Sequence, residues 1–365
     1  MRKTKIKIIL VILLLGTIAG STLFALTLIK KEQQTNIAKS LQTVVETTQE
    51  TLELWIKLRK IELKKLAREK ALLNYTTALI NKHESKQNIE HSKTLKNLRR
   101  YMKNYLDRHS DNGFFIINQN RISVASMRDE NLNSLNLIHQ QRKNYLDRAF
   151  AGETLFIPTL KSDVPLKTST GHYAENLPTI FIATPVKDET DSVIAVLTIR
   201  LDPSKDFTRI IQLGRIGDTG ETYAFDNNGT LISESRFDYQ LQNTGLITKV
   251  DKGILTIRIT DPGVNTLKGL KPTLPASERP LTLMAQSAIA KISSHNIEGY
   301  RDYRGVPVFG AWVWNDELGI GITTEINVDE AMNPFKHTSF TIIALLLLST
   351  LLTLGLIYYF LRTKH

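Results

Sequence analysis

Eight histidines and no cysteine give this chain of 365 residues little from which to build a metal or nucleophilic centre. Without cysteine there is no disulfide framework, zinc ribbon, thiolate-held cluster or cysteine nucleophile. His83 and His91 fall eight apart near one face of a helical stretch, yet no carboxylate is placed to complete a zinc shell, and no His-Glu-x-x-His occurs. Gly214, Gly217 and Gly220 recur at three-residue steps but lead into a strand. They make a tight connection, whereas a dinucleotide fingerprint would open a helix. Asp226-Asn227-Asn228-Gly229 has the letters of a calcium loop and the length of a hairpin turn. Neither Gly-x-Ser-x-Gly nor a Walker sequence is present. The sequence therefore predicts no catalytic residue, no metal site, no cofactor and no enzyme. What remains is a guanidinium beside a phenol, Arg142 and Tyr145, on a predicted helix. A guanidinium can pair bidentately with a carboxylate. The plainer alternative is two exposed residues on an amphipathic helix.

These residues lie in a chain that is apolar near both ends. Ile8 to Ile29 is 22 residues without a charge, and Ser339 to Leu361 is another 23. Each makes a helix long enough for the roughly 30 Å hydrocarbon layer of a membrane. Tyr358, Tyr359 and Phe360 suit an interface. Ala19-Gly20-Ser21 would allow cleavage as a signal peptide, but the apolar run exceeds the roughly 7–15 residues usual there, so an uncleaved anchor is expected. Arg2, Lys3, Lys5 and Lys7 flank the first span, and Arg362 and Lys364 follow the second. The positive-inside rule then puts both tails, 1–7 and 362–365, in the cytoplasm. The expected protein is a two-pass one of the inner (cytoplasmic) membrane, with 30–338 extracytoplasmic. The few residues after the second span make no domain, which leaves open a complete protein or the front part of a longer one.

The net charge of +11 is not spread evenly. Residues 30–110 carry 18 basic and nine acidic groups, whereas 111–337 carry 23 basic and 27 acidic. The excess cations belong to the tails and one polar segment, where they are interspersed with Glu and few aromatics. That argues for a solvated face and against nucleic acid. Residues 32–110 lack Pro and Gly and read as helix. Ile37, Leu41, Val44, Thr48, Leu52 and Trp55 form its stripe, and Asn74, His83, Asn88 and Asn97 suggest two or three helices.

From Gly113 the texture becomes strand-like. Phe114 to Ile117 and Ile122 to Ala125 read as a hairpin, followed by a helix from Leu135 to Phe150 and a second hairpin, Thr179 to Val186 with Ser192 to Leu201. The plan then recurs. Thr222 to Phe225 and Thr230 to Ser233 repeat the first hairpin, and Val306 to Trp314 with Gly319 to Ile326 repeat the second. Trp312 and Trp314 face one side of their strand, read as core packing or a sheet-face contact.

At this point the residues resemble a known family, the double Cache (tandem PAS-like) extracytoplasmic sensor domains of bacterial chemoreceptors, sensor kinases and cyclase-type receptors. Three strings carry the resemblance. Gly217-Asp218-Thr219-Gly220-Glu221-Thr222-Tyr223, with Asp226 to Gly229, is similar to the opening hairpin of the membrane-proximal module. Tyr303-Arg304-Gly305-Val306-Pro307-Val308-Phe309-Gly310-Ala311-Trp312, with Gly319-Ile320-Gly321 and Glu325, is similar to its closing hairpin. Arg142-Lys143-Asn144-Tyr145, with Ala149 and Gly152, is similar to the Arg-x-Trp-Tyr helix of the distal module. The fold class implied is α+β: a long N-terminal helix and two tandem PAS-like antiparallel-sheet modules, flanked by two transmembrane helices. Its divisions are a span at 8–29, a helical segment at 30–110, a distal module at 111–205, a proximal module at 206–335 and a span at 339–361.

In amino-acid-binding relatives the Arg and the aromatic pair grip a ligand carboxylate and a later Asp takes the ammonium. Here Asn144 replaces the Trp, and His172 to Glu175 offers no clear Asp. The resemblance therefore implies a carboxylate grip without marking an α-amino acid. Arg128, Arg142, Tyr145 and Tyr173 are the expected ligand-binding residues, while Arg236 and Tyr303 read equally well as structural. The function implied is a small-molecule sensor, a homodimer, signalling through its spans to a partner or a C-terminal output domain. The alternative is a non-catalytic assembly platform on a degenerate double Cache domain, which the altered Arg-x-Trp-Tyr string favours.

Overall fold

The computed structural model describes residues 2–167 and 172–362, so Met1 and 363–365 of the expected tails lie outside the described residues. One helix, α1 (Arg2–Ala67), runs unbroken for 66 residues, from the first apolar stretch into the polar segment. At a rise of about 1.5 Å per residue it is about 100 Å long. The helices α2 (Lys70–Glu84) and α3 (Lys93–His109) follow, the latter capped by the Ser92 side chain, which accepts from Leu95 N at 3.1 Å. Asn88 lies in the second break and His83 at the end of the helix before it, whereas Asn74 and Asn97 sit within helices. Asn in a helix interior costs well under 1 kcal/mol, too little to end a helix by itself.

The distal module contains β1 (Gly113–Asn118), β2 (Ser123–Ser126), α4 (Leu137–Phe150), β3 (Leu155–Lys161), β6 (Pro178–Lys187) and β7 (Val193–Leu201). A short ribbon of β4 (Leu166–Lys167) and β5 (Tyr173–Ala174) lies between β3 and β6. The main strands form an antiparallel sheet ordered β2-β1-β7-β6-β3. After α5 (Asp206–Leu213), the proximal module supplies β8 (Glu221–Asp226), α6 (Asp238–Thr244), α7 (Leu283–Ile289), β9 (Ser294–Arg301), β10 (Pro307–Asn315) and β11 (Ile320–Asn327). Its antiparallel sheet is ordered β8-β11-β10-β9. A single turn, α8 (Val328–Ala331), then hands the chain to α9 (Asn333–Arg362). Both α1 and α9 contain a stretch long and apolar enough to cross a membrane. The fold is the expected one, a long helix, two antiparallel-sheet modules and a closing apolar helix.

One expectation changes in detail, and two strands appear that the sequence reading did not place. Thr230–Ser233 is not a strand and makes only isolated bridges, Phe225 with Leu231 and Thr230 with Arg258. The Ser233 hydroxyl accepts from Ala224 N at 3.0 Å and takes the place of a backbone ladder bond. Strand β3 was hidden by Pro158, which an edge strand with a bulge tolerates. Strand β9 was hidden by its composition, since most of its residues are exposed on the other sheet's edge.

Strict alternation divides each sheet into two faces. In β7, Ala195, Leu197 and Ile199 join the large core that also holds Leu41, Leu52 and Ile56 of α1, while Val196 joins the opposite apolar cluster. Thr198 and Arg200 share that opposite, outer face. In β11, Ile320, Ile322 and Ile326 face the α1 core, which leaves Thr323 and Glu325 facing the cluster of Tyr223, Tyr300, Tyr303 and Trp312. One helix therefore backs both sheets, and each sheet keeps an outer face for chemistry.

Candidate functional site

The outer face of the distal sheet holds a buried cation. The Arg200 side chain is 2% exposed, and its Nη2 donates to Asp163 Oδ1 at 3.1 Å. Its guanidinium carbon lies 5.0 Å from the Phe115 ring centre and 5.5 Å from that of Phe181. The second Asp163 oxygen accepts from Asn131 Nδ2 at 2.7 Å. Nη1 of Arg200 is buried without a partner, and so are the hydroxyls of Thr198 and Ser162. Thr198 is two residues from Arg200 on the same strand face, and Ser162 adjoins Asp163 in the chain. Burial pushes the Arg200 pKa down to about 10, Asp163 opposes that shift, and the nearby Arg128 charge reinforces it.

Arg128 is half-buried at the start of a short 3-10 turn, Asp129–Asn131, where its backbone N–H donates to Ser126 Oγ at 3.2 Å. Tyr173 lies on β5 and is 69% exposed. Arg142 and Tyr145 go elsewhere. At Arg142 the helix α4 is kinked, with φ −140° and ψ 47°, and the guanidinium turns toward the other module. Nη2 donates to Thr159 O and to Asp226 Oδ2, each at 3.0 Å, while Nε is buried and unpartnered. Asp226 can receive it because its other oxygen accepts from Asn228 N at 2.9 Å and Thr230 N at 3.0 Å, holding the hairpin turn. Tyr145 OH donates to Leu318 O at 3.4 Å and fills the space over Gly319. That glycine has φ +68°, and a Cβ there would come within 2.5 Å of the phenol oxygen. The two residues line a polar cleft of about 420 Å³ between the modules, together with Lys143, Asn144, Asn228 and Trp314.

The outer face of the proximal sheet holds carboxyls instead. Glu221 of β8 and Glu325 of β11 are direct partners across the ladder. Glu221 accepts from Ser235 Oγ at 2.8 Å, Arg236 N at 3.0 Å and Tyr303 OH at 2.6 Å. Glu325 accepts from Tyr300 OH at 2.5 Å and Tyr223 OH at 2.9 Å. Burial, with repulsion from Asp302, pushes the Glu325 carboxyl up to about 8. Glu221 is also pushed up by burial, against the pull of Arg304. Arg304 itself is committed to Asp302 at 2.7 Å and stacks on Phe237 at 3.6 Å.

No family model matches the chain, and no curated protein does. Among solved structures it is similar to the ligand-binding domain of the Pseudomonas aeruginosa PAO1 amino acid chemoreceptor PctB in complex with L-Arg, at 12% identity, with 84% of this chain and 94% of that one covered and a TM-score of 0.49. The periplasmic sensory domain of the Campylobacter jejuni chemoreceptor Tlp1 is similar at 14% identity, 83% and 99% coverage and a TM-score of 0.47. The sensor domain of the V. cholerae histidine kinase DctB follows at 14% identity, 82% and 97% coverage and a TM-score of 0.42.

The four sequence-predicted residues thus divide. Arg128 lies close enough to Arg200 to repel it, Arg142 and Tyr145 meet at the cleft between modules, and Tyr173 is exposed on the short ribbon. Arg200 and Thr198 were missed. The signal was present, since Ala195-Val196-Leu197-Thr198-Ile199-Arg200 alternates, and a charge on the buried face of an interior strand needs a reason.

Proposed function

We propose that this chain is a membrane-anchored extracytoplasmic sensor: its distal module holds a small molecule, and the consequence passes down α1 and α9 to a signalling partner or an output domain. The observation that carries this reading is the continuity of α1 from the apolar stretch through both sheets. Its polar side chains reach both modules. Arg59 Nη2 pairs with Asp111 Oδ2 at 2.5 Å at the entrance to the distal sheet. Glu53 Oε1 accepts from Asn315 Nδ2 at 2.5 Å, and Lys60 pairs with Glu317 at 2.7 Å, both beside the β10–β11 turn. Gln34 Nε2 donates to Ile297 O at 2.8 Å nearer the membrane. These contacts tie α1 to both modules, so a change in either has a direct route to the helix.

Such a signal requires the ligand to prefer one arrangement of the helices; tight binding without preference transmits nothing. The test uses the absence of native cysteine. Cysteine in place of the exposed Thr190 should take up a membrane-impermeant label from outside intact cells. Cysteine in place of the exposed Thr35 on α1 should crosslink two copies at a rate that ligand changes. Labelling only after the membrane is breached would place the head in the cytosol and end the proposal.

A further inference from the structure

We infer that segment 266–274 of the proximal module docks on the outer surface of the bilayer, with Leu267, Leu270 and Leu274 in the headgroup layer and Lys268 and Lys271 on anionic headgroups. This rests on the reading of α1 and α9 as membrane spans and adds a lipid contact made by the head itself. Helix α1 measures the height. Its uncharged stretch ends at Ile29, and Gln33, four residues on, stands about 6 Å further from the hydrocarbon. Gln33 Nε2 donates to Ala331 O at 3.4 Å, so α8 sits at that height, within a headgroup layer roughly 5–7 Å deep. The segment is fastened to α8. Thr266 N and Oγ1 donate to Arg304 O at 3.1 and 2.7 Å, and Arg304 Nη2 donates at 3.3 Å to Oδ1 of Asn327, the residue before α8. The Asp329 carboxyl of α8 is held below its usual range first by Lys336, whose Nζ donates at 2.9 Å, and then by the charge of Lys268. A 3-10 turn, Thr266–Lys268, stiffens the segment. The Asn265 side chain caps it, accepting from Leu267 N at 3.0 Å, and Gly269 closes it at φ +75°. Leu267, Leu270 and Leu274 are 42%, 52% and 45% exposed, and no acidic residue lies between Asp261 and Glu278. Leucines left in water beside a span, with lysines between them, match an interfacial segment whose apolar side chains enter the headgroup boundary while the lysine stems reach phosphate. Lys30 and Lys31, exposed at the end of the first span, extend this cationic rim. A second copy of the chain would bring the same cations against it, whereas an anionic lipid surface complements them.

The test uses the full chain, which has no cysteine of its own, in bilayer discs of phosphatidylcholine with or without phosphatidylglycerol. A fluorophore is placed on one introduced cysteine, and a nitroxide on the lipid headgroup is the quencher. The labelled positions are Lys31→Cys at the end of the span, Thr190→Cys on the distal β6–β7 turn and Thr273→Cys between the last two leucines, all exposed. In anionic discs the label at 273 should be quenched like that at 31, and the label at 190 should stay bright. Changing Lys268 and Lys271 to Gln should lower the ratio of docked to free segment by about fivefold for each lysine, seen as lost quenching at 273 alone. Raising the salt concentration should act in the same direction. Quenching at 31 without quenching at 273 overturns the docking and leaves the spans standing. Equal quenching at 273 with and without phosphatidylglycerol, unmoved by the lysine changes, overturns the assignment to anionic headgroups. Crosslinking of Thr273→Cys to a second copy, with no quenching there, gives the leucines to a dimer and overturns it too. No quenching at 31 strikes at the spans themselves and takes the docking with them.

Discussion

Arg200 on β7 and Glu325 on β11 stand at matching places in their sheets. Each is on an interior strand, faces away from α1, and follows by two residues a threonine facing the same way, Thr198 or Thr323. Across the ladder Arg200 and Thr198 meet Gly113 and Phe115, where Glu325 and Thr323 meet Glu221 and Tyr223. From this shared frame the two faces diverge. On the proximal outer face both oxygens of Glu221 and both of Glu325 have donors, and Thr323 Oγ1 donates to Ala311 O at 3.1 Å. Among the described residues, the buried polar side-chain atoms without partners include three on or beside the distal outer face and none from the proximal sheet. A completed buried network holds one arrangement, whereas an incomplete one has free energy to gain from a partner. One outer face is closed by its own hydrogen bonds, and the other keeps buried donors without partners.

The largest effect should come from opening the closed face. Glu221→Ala leaves Ser235 Oγ, Arg236 N and Tyr303 OH without their acceptor in a fully buried place. The cost should be on the order of 3 kcal/mol or more, which lowers the thermal midpoint of the full chain by roughly 10 °C. An unchanged midpoint would mean that water completes this network as well, and the contrast between modules would fail.

The next effect is one of pH. The folded state raises the Glu325 pKa above its unfolded value, so the native protein holds a proton that the unfolded chain releases. Its stabilising contribution is complete below the unfolded carboxylate pKa of about 4.3 and is lost as pH rises toward about 8. Thermal midpoints taken from about pH 5 to about pH 8 should therefore fall in the wild type. Glu325→Gln should flatten that slope and be the more stable protein at the alkaline end. A residual slope is expected from Glu221, whose pKa is raised in the same direction. Parallel curves for the two proteins would show that Glu325 is ionised throughout.

Much of this was legible before the fold. Uncharged runs gave the two apolar helices, the lack of Pro and Gly gave the helical segment, and strand-like texture gave all six strands that pair as β1 with β2, β6 with β7 and β10 with β11. What periodicity could not show was where a polar side chain replaces backbone, as Ser233 does opposite Ala224, or where an edge tolerates Pro158. The site was legible only in part. Arg128, on the loop after β2, was placed by the order of the strands. Arg142 was read as a helical residue, but the kink at its own position turns it toward Asp226, and a kink without Pro or Gly leaves no mark in composition.

That junction supplies a sharper test of how the two modules are held together. Arg142→Met removes the cation that faces Asp226, whose side chain is 6% exposed. The loss should be about 1–3 kcal/mol in stability, seen as a lower midpoint. An unchanged midpoint would mean that the junction does not depend on this pair.

The smallest effects fall on the matched threonines, and they bear most directly on the contrast. Thr198→Val and Thr323→Val make the same chemical change on the same face of equivalent strands, each at a side chain that is fully buried. Thr323 loses a hydrogen bond to Ala311 O and leaves that carbonyl one partner short, a cost of about 1 kcal/mol. Thr198 loses a hydroxyl that is buried without a hydrogen-bond partner, so removing it relieves a desolvation cost and should leave the midpoint unchanged or slightly higher. Measured without ligand, the two midpoints should therefore move in different directions, by about 2–4 °C for each kcal/mol. Equal losses in the two variants would show that the Thr198 hydroxyl already has a partner, and the contrast between the two outer faces would fail.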